Sequence, residues 1–289
     1  MQGTLIQIIA LTIYGNAYLT DHDIDEFFPN NNAFKFCEYV RFVDLEQTDS
    51  GHEELPYAQD PVQWFARLQR EGAEALRMIY QPSGGKQIGQ EKVSGRMLVG
   101  FIGGGGRWLI EVQKGSRSDR WEGRWQIGDK DRKDQLIWRV HYGRVATEQP
   151  LHPQMPIGAS GLKRLLGENL EALAEFATAH KLDNFATAFK TGLAALSSPE
   201  PFKNAFSSHF APAGKLALAP SQLLAASQAA WVFGGMGSWN DLGFEGDDKA
   251  TYERLSEDLY MLLNTAVVFA ANATAPSVSI TKPWWKLWG

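Results

Sequence analysis

The sequence predicts an α+β protein: an N-terminal antiparallel sheet, a meander with one covering helix, followed by an all-helical C-terminal region. Three observations carry that expectation. β-branched and alternating segments crowd the first half, and alanine-rich text with helical apolar spacing fills the second. The two meet near residues 147–157, TEQPLHPQMPI, where three prolines in seven residues disfavour helix and central strand alike. The divisions that follow are 1–148 for the sheet and its helix, 149–275 for a helical domain, and 276–289 for a tryptophan-rich tail. At 289 residues, 44% of them hydrophobic, the chain can build one large core or two ordinary ones.

Taken in order, residues 5–14 read as a core strand, because the apolar stretch LIQIIALTIY has no Lys or Arg before it and no small-residue cleavage site after it. Residues 20–28 read as a short helix capped by Thr20, with Asp21 and Asp23 in its first turn. Residues 34–43, FKFCEYVRFV, alternate as a strand. Asp60 and Pro61 then supply a cap and a first helical position for a helix whose face is Val62, Phe65, Leu68, Gly72, Leu76 and Ile79. Between residues 92 and 145, four strand-like runs (VSGRMLVGFI, RWLIEVQK, RWEGRWQI and QLIWRVHYGRV) are separated by Gly and Asp clusters, the pattern of a meander, with Gly103 to Gly106 as a hairpin turn.

The second half reads as five helices. Ser160 caps the first, to about 178; Asp183 caps the second, to about 196; Ser198 and Pro199 start the third, to about 209; Pro220 and Ser221 start the fourth, which Gly234 stops; and the fifth covers about 247–273. The last contains LYMLLNTAVVFAANA, which comes nearest to a membrane span, but Asn264, Thr265 and Asn272 interrupt it, so it reads as a helix buried in a bundle and no span is expected.

The chemistry-bearing motifs that the sequence approaches fail on spacing. Gly84-Gly85-Lys86 is followed by Gln87 and lacks the earlier glycine of a phosphate loop. Neither Gly103–Gly106 nor Gly234–Gly237 lies between a strand and a helix as a dinucleotide fingerprint requires. Asp21, Asp23 and Asp25 open like a calcium loop, but Glu26 stands where glycine belongs and Asn32 where a bidentate Glu belongs. The six histidines show no metal-binding spacing, and with one cysteine, Cys37, no structural zinc site and no internal disulfide is expected. Ser160 approaches a nucleophile elbow, but Leu162 replaces the final glycine. No cofactor and no metal are therefore expected, and no catalytic residue is assigned.

Charge divides unevenly. Residues 20–74 hold 13 acidic and 4 basic residues, net -9; residues 86–144 hold 13 basic and 7 acidic, net +6, with arginines interleaved among Trp108, Trp121, Trp125 and Trp138. An arginine–tryptophan sheet can stack on single-stranded nucleic acid, but the acidic segment belongs to the same domain and the chain as a whole is at -5, so no nucleic-acid binding is expected.

Two stretches stand out as candidate binding elements. WVFGGMGSWNDLGF, residues 231–244, ends a helical run in glycines and offers Trp239, Asn240 and Asp241 together in the loop at 234–244. The tail, PSVSITKPWWKLWG, sets Trp284, Trp285 and Trp288 beside two lysines, an apolar area that should dock on protein. The leading expectation is a cytoplasmic protein of prokaryotic origin acting through a protein partner or self-association, of inhibitor, immunity or adaptor type. The alternative is a hydrolase whose carboxylates assemble from separate segments, with Asn240 and Asp241 contributed by the glycine loop.

Overall fold

The computed structural model describes residues 1–276 apart from 2, 25, 49–50, 84–85, 89–90, 101–103, 155, 204–209 and 213. It is α+β. Helices α1 (Gly3–Leu19) and α2 (Pro61–Arg70) accompany a six-stranded sheet of β1 (Cys37–Thr48), β2 (Gly51–Ala58), β3 (Ala75–Gln81), β6 (Arg107–Lys114), β7 (Arg117–Ile127) and β8 (Trp138–Pro150); β4 (Lys86–Ile88) and β5 (Glu91–Val93) form a separate hairpin. Helices α3 (Ala159–Ala179), α4 (Asp183–Ala195), α5 (Leu218–Ala229) and α6 (Gly246–Asn272) make up the C-terminal region.

The sheet order is β2-β1-β8-β7-β6-β3. β6, β7 and β8 are the meander that the sequence predicts, but the sheet is mixed, because β1 lies parallel to β8 with Val40 opposite Val140 and Phe42 opposite Tyr142. That long-range pairing leaves no local signal. It brings the acidic segment alongside the basic one: Arg139 and Arg132 reach Glu38, Arg144 reaches Asp44, and Arg124 and His141 reach Glu54; separately, Lys114 of β6 reaches Glu71 at the end of α2.

The expected strand at 5–14 is instead part of α1. This helix is buried on nearly every side, from Leu5 to Ala17, so it has no polar face to reveal a 3.6-residue period, and its isoleucines and threonines imitate a strand. Gly15 lets it approach the sheet: a Cβ there would lie 2.1 Å from Leu76 Cδ1. The helix expected at 20–28 is absent among the described residues, which form turns and extended chain there. α2 begins as expected, with Asp60 Oδ1 accepting from the Gln63 amide (2.8 Å) and Pro61 in the first turn. It stops at Arg70, where Gly72 adopts φ +80° and Ala73 N closes back on Leu68 O (3.0 Å), so Leu76 and Ile79 belong to β3.

Four further corrections are local. Residues 95–98 form a short 3₁₀ turn and not a meander strand. Gly158 and Leu182 occupy the cap positions expected for Ser160 and Asp183, which lie inside the first turns. Residues 199–203 are turns and bends, and the rest of the third expected helix lies outside the described residues. α5 ends at Ala229, five residues before Gly234, and in the loop only Gly237 takes positive φ (79°).

Two apolar clusters hold the fold. One lies under the sheet, where Phe42 stacks on Trp64 (4.2 Å between centroids) and Trp121 and Tyr142 complete the layer; it also takes Leu224 from α5 and Val267 and Ala271 from α6. The second joins α3 to α6 around Leu170, Phe189, Trp239 and Leu259. The helical half thus contributes directly to the core beneath the sheet. No helix among the described residues is long and apolar enough to cross a membrane.

Candidate functional site

The loop at 231–244 is closed on itself. Trp239 is fully buried; its Nε1 donates to Ser256 Oγ (2.7 Å), its backbone N donates to Val232 O (3.1 Å), and its carbonyl accepts from the Tyr252 hydroxyl. Phe185 and Phe189 meet its ring edge-on at 5.1 Å. Residues Trp239–Asp241 form one 3₁₀ turn closed by Asp241 N donating to Ser238 O and by Asp241 Oδ2 accepting from Ser238 N (3.1 Å). Asn240 is buried and engaged at both amide atoms: Oδ1 accepts from Arg96 Nη1 (3.0 Å) and Nδ2 donates to Arg96 O (2.8 Å). Trp284, Trp285 and Trp288 lie outside the described residues.

Arg96 carries the loop's rigidity to a second place. It is 4% exposed, stands 5.3 Å from the Tyr252 ring centroid, and donates from Nε to Glu257 Oε1 at 2.8 Å. Glu257 and Gly95 line a cavity of about 570 Å³ between β3, the segment after β8, and α6. That volume lies within the ordinary range for ligand sites, about 300–1,000 Å³.

The cavity is a groove along α6. From Glu257 to Ala273 the helix contributes residues at steps of three and four, a stripe about 24 Å long at 1.5 Å per residue. Met78, Ile79, Met261, Val268 and Phe269 give it apolar walls. Its floor strand, β3, pairs with β6 on one side only, and on its free edge two asparagines stand in for a neighbouring strand. Asn16 of α1 accepts from Leu76 N (2.7 Å) and donates to Leu76 O (2.9 Å); Asn272 of α6 does the same to Met78 N (2.6 Å) and O (3.0 Å). Each side-chain amide copies the donor–acceptor pair of a peptide group, so backbone groups that would be orphaned at a buried edge are satisfied.

Two turns before Asn272 on α6 lies Asn264, fully buried, with neither amide atom in a well-formed hydrogen bond. Its polar neighbour, the Tyr260 hydroxyl, donates instead to Gly105 O (2.6 Å), where the Tyr80 hydroxyl also converges. Burial raises both phenol pKa values, so both rings stay protonated donors. Gly105 has φ +84°, and a Cβ there would come within 2.6 Å of the Tyr260 oxygen, so this convergence requires glycine. Glu111, also fully buried, accepts from Ser118 Oγ (2.9 Å) and His152 N (2.8 Å) at Oε1, while its Oε2, like Ser83 Oγ, has no partner among the described residues. Buried polar groups are normally paired, and of those left without a well-formed partner among the described residues, Asn264, Glu111 and Ser83 share the wall of this one groove, which makes it the candidate site.

The sequence points to the loop and not to this groove. Asn264 and Asn272 register only as interruptions of an apolar helix; their eight-residue separation, which sets both on one face, was the available signal. Among the described residues no group of three or more His, Cys, Asp or Glu could hold a metal ion. No protein-family model, curated protein or solved structure matches the chain.

Proposed function

We propose that the protein is a binding module that receives an extended polypeptide segment of a partner in the groove between β3 and α6. The observation that carries this reading is Asn264, a buried amide whose polar contact with the Tyr260 hydroxyl falls short of a well-formed hydrogen bond, two turns from an identical residue that already takes both the N–H and the C=O of one strand residue, Met78. A guest residue in extended conformation offers the complementary donor and acceptor, its own N–H and C=O, along one edge. The groove accommodates about seven extended residues at about 3.3 Å each, its apolar walls suit alternate side chains, and Glu111 Oε2 and Ser83 Oγ remain for polar groups on the guest. A carboxylate hydrolase built on Asn240 and Asp241 has less support, since Asn240 is committed to Arg96 and Asp241 to its own turn.

The test is selection of a displayed random heptapeptide library on the full chain. Enriched peptides should bind the parent protein and lose at least about tenfold in affinity, 1.4 kcal/mol, to Asn264→Leu and to Met261→Arg. Failure to enrich any peptide, or enrichment of peptides indifferent to both substitutions, overturns the reading.

A further inference from the structure

We propose that the guest in this groove presents a primary ammonium group to Glu111, so that the segment selected carries a lysine or a free amino terminus there. The proposal rests on the peptide-groove reading and names the chemistry that the groove selects. Its starting observation is a buried carboxyl group without a counter-charge. Glu111 of β6 is fully buried and lines the cavity; its two donors, the Ser118 hydroxyl and the His152 backbone N–H, are both neutral and both go to Oε1. Oε2 has no partner among the described residues. A carboxylate taken out of water is costly unless a cation accompanies it. The sheet supplies none: Arg77 stands directly opposite Glu111 across the β3–β6 pair, yet its Nε donates to Gln113 Oε1 (3.3 Å) and not to Glu111. Glu257, the other acidic residue in the groove wall, already has Arg96 as its partner. Glu111 is therefore the one left for a charged guest.

The arrangement of acceptors discriminates between cations. Arginine pairs best with a carboxylate through two parallel N–H bonds, which need both oxygens, and here Oε1 is taken by Ser118 and His152. An ammonium is a compact point donor that a single oxygen can hold. Position adds to this. Glu111 lies one strand in from the β3 edge and is bonded to the segment after β8, whereas Asn264 lies on α6. A guest whose backbone is held at Asn264 reaches Glu111 with a long side chain or with its first residue, and lysine carries its charge on an apolar stem that suits a wall containing Ile79 and Phe269. Burial keeps water from screening the pair, so its effect on affinity should be large.

The experiment keeps the full chain and screens N-terminally acetylated heptapeptide libraries in which one position at a time is fixed as lysine, ε-acetyl-lysine, arginine or norleucine and the others are random, beside an unacetylated library. Lysine at one position, or the free amino terminus, should enrich over its replacements. In a resynthesised binder, acetylating that amine should lower affinity at least about tenfold on the parent protein and less than about twofold on Glu111→Gln, which keeps an oxygen for Ser118 and His152 but has no charge to pair. Sensitivity to acetylation of the side chain assigns the ammonium to lysine, and sensitivity to acetylation of the first residue assigns it to the chain terminus. Binders that are lost with Asn264→Leu yet are indifferent, on the parent protein, to exchange of lysine for norleucine and to a blocked amino terminus overturn the proposal and leave the peptide groove standing; this arm needs no substitution at Glu111. An equal preference for arginine, or a preference for lysine that persists at full size in Glu111→Gln, also overturns it. Failure of every library to enrich overturns the groove reading itself, and this proposal with it.

Discussion

The glycine–tryptophan loop and the β3–α6 groove are opposites in how they advertise themselves. The loop is conspicuous in composition, yet Trp239, Asn240 and Asp241 each end in satisfied contacts, and the tryptophan ring is enclosed by Phe185, Phe189 and Tyr252. The groove is made of unremarkable residues, yet Asn264, Glu111 and Ser83 hold unmet polar atoms in its wall. Rare residues in a short span mark a demand for tight packing. A site is marked by hydrogen-bonding capacity left over after folding, and that quantity exists only once distant segments have met.

If the loop is a structural keystone, its substitutions should act on stability. Trp239→Ala removes the centre of the helical cluster and its bond to Ser256, and should cost about 3–5 kcal/mol in denaturant unfolding. A loss under about 1 kcal/mol would mean the ring is dispensable and would restore the loop as a recognition element. Asn240→Ala leaves the buried Arg96 guanidinium and its carbonyl short of partners, at a cost of about 1–3 kcal/mol, and loosens Glu257 in the groove wall. Peptide affinity should therefore fall together with stability, which a combined thermal-shift and binding titration resolves; affinity that falls with the melting temperature intact would place Asn240 in direct contact with the guest.

Asp241 sharpens the same contrast at smaller amplitude. Asp241→Ala removes the carboxylate that accepts from Ser238 N and should cost about 0.5–2 kcal/mol, while Asp241→Asn retains an oxygen to accept from Ser238 N and should recover most of that loss. An Asp241→Asn protein that melts as the parent does but has lost a measured activity would move the functional centre back to the loop.

How far the sequence disclosed this arrangement depends on the range of the interaction. Asp60 with Pro61, the hairpins around Gly115 and between β7 and β8, and the helical spacing of α6 are local, and each is legible. α1 escapes because burial on all sides erases the polar half of its pattern, and the parallel β1–β8 pair escapes because nothing near residue 40 records which strand lies beside it. The groove escapes for a related reason: Asn272 and Asn264 are the same residue on the same face, and only the position of β3 makes one satisfied and the other not.

That difference supplies the last test, where the expected change in stability is smallest and the contrast with the loop is greatest. Asn272→Leu should be costly, about 1–3 kcal/mol, because Met78 N and O lose their partners at a buried edge. Asn264→Leu removes an amide that makes no well-formed hydrogen bond and replaces it with an apolar group of similar size, so unfolding free energy should stay within about 1 kcal/mol of the parent or rise. Two identical substitutions, eight residues apart on one helix, then separate an asparagine that holds the fold from one held in reserve. If Asn264→Leu destabilises as much as Asn272→Leu, its amide has a partner in the folded protein, and the argument for a guest peptide loses its foundation. If it is neutral in unfolding and silent in peptide binding as well, the residue serves neither purpose, and the groove reading falls with it.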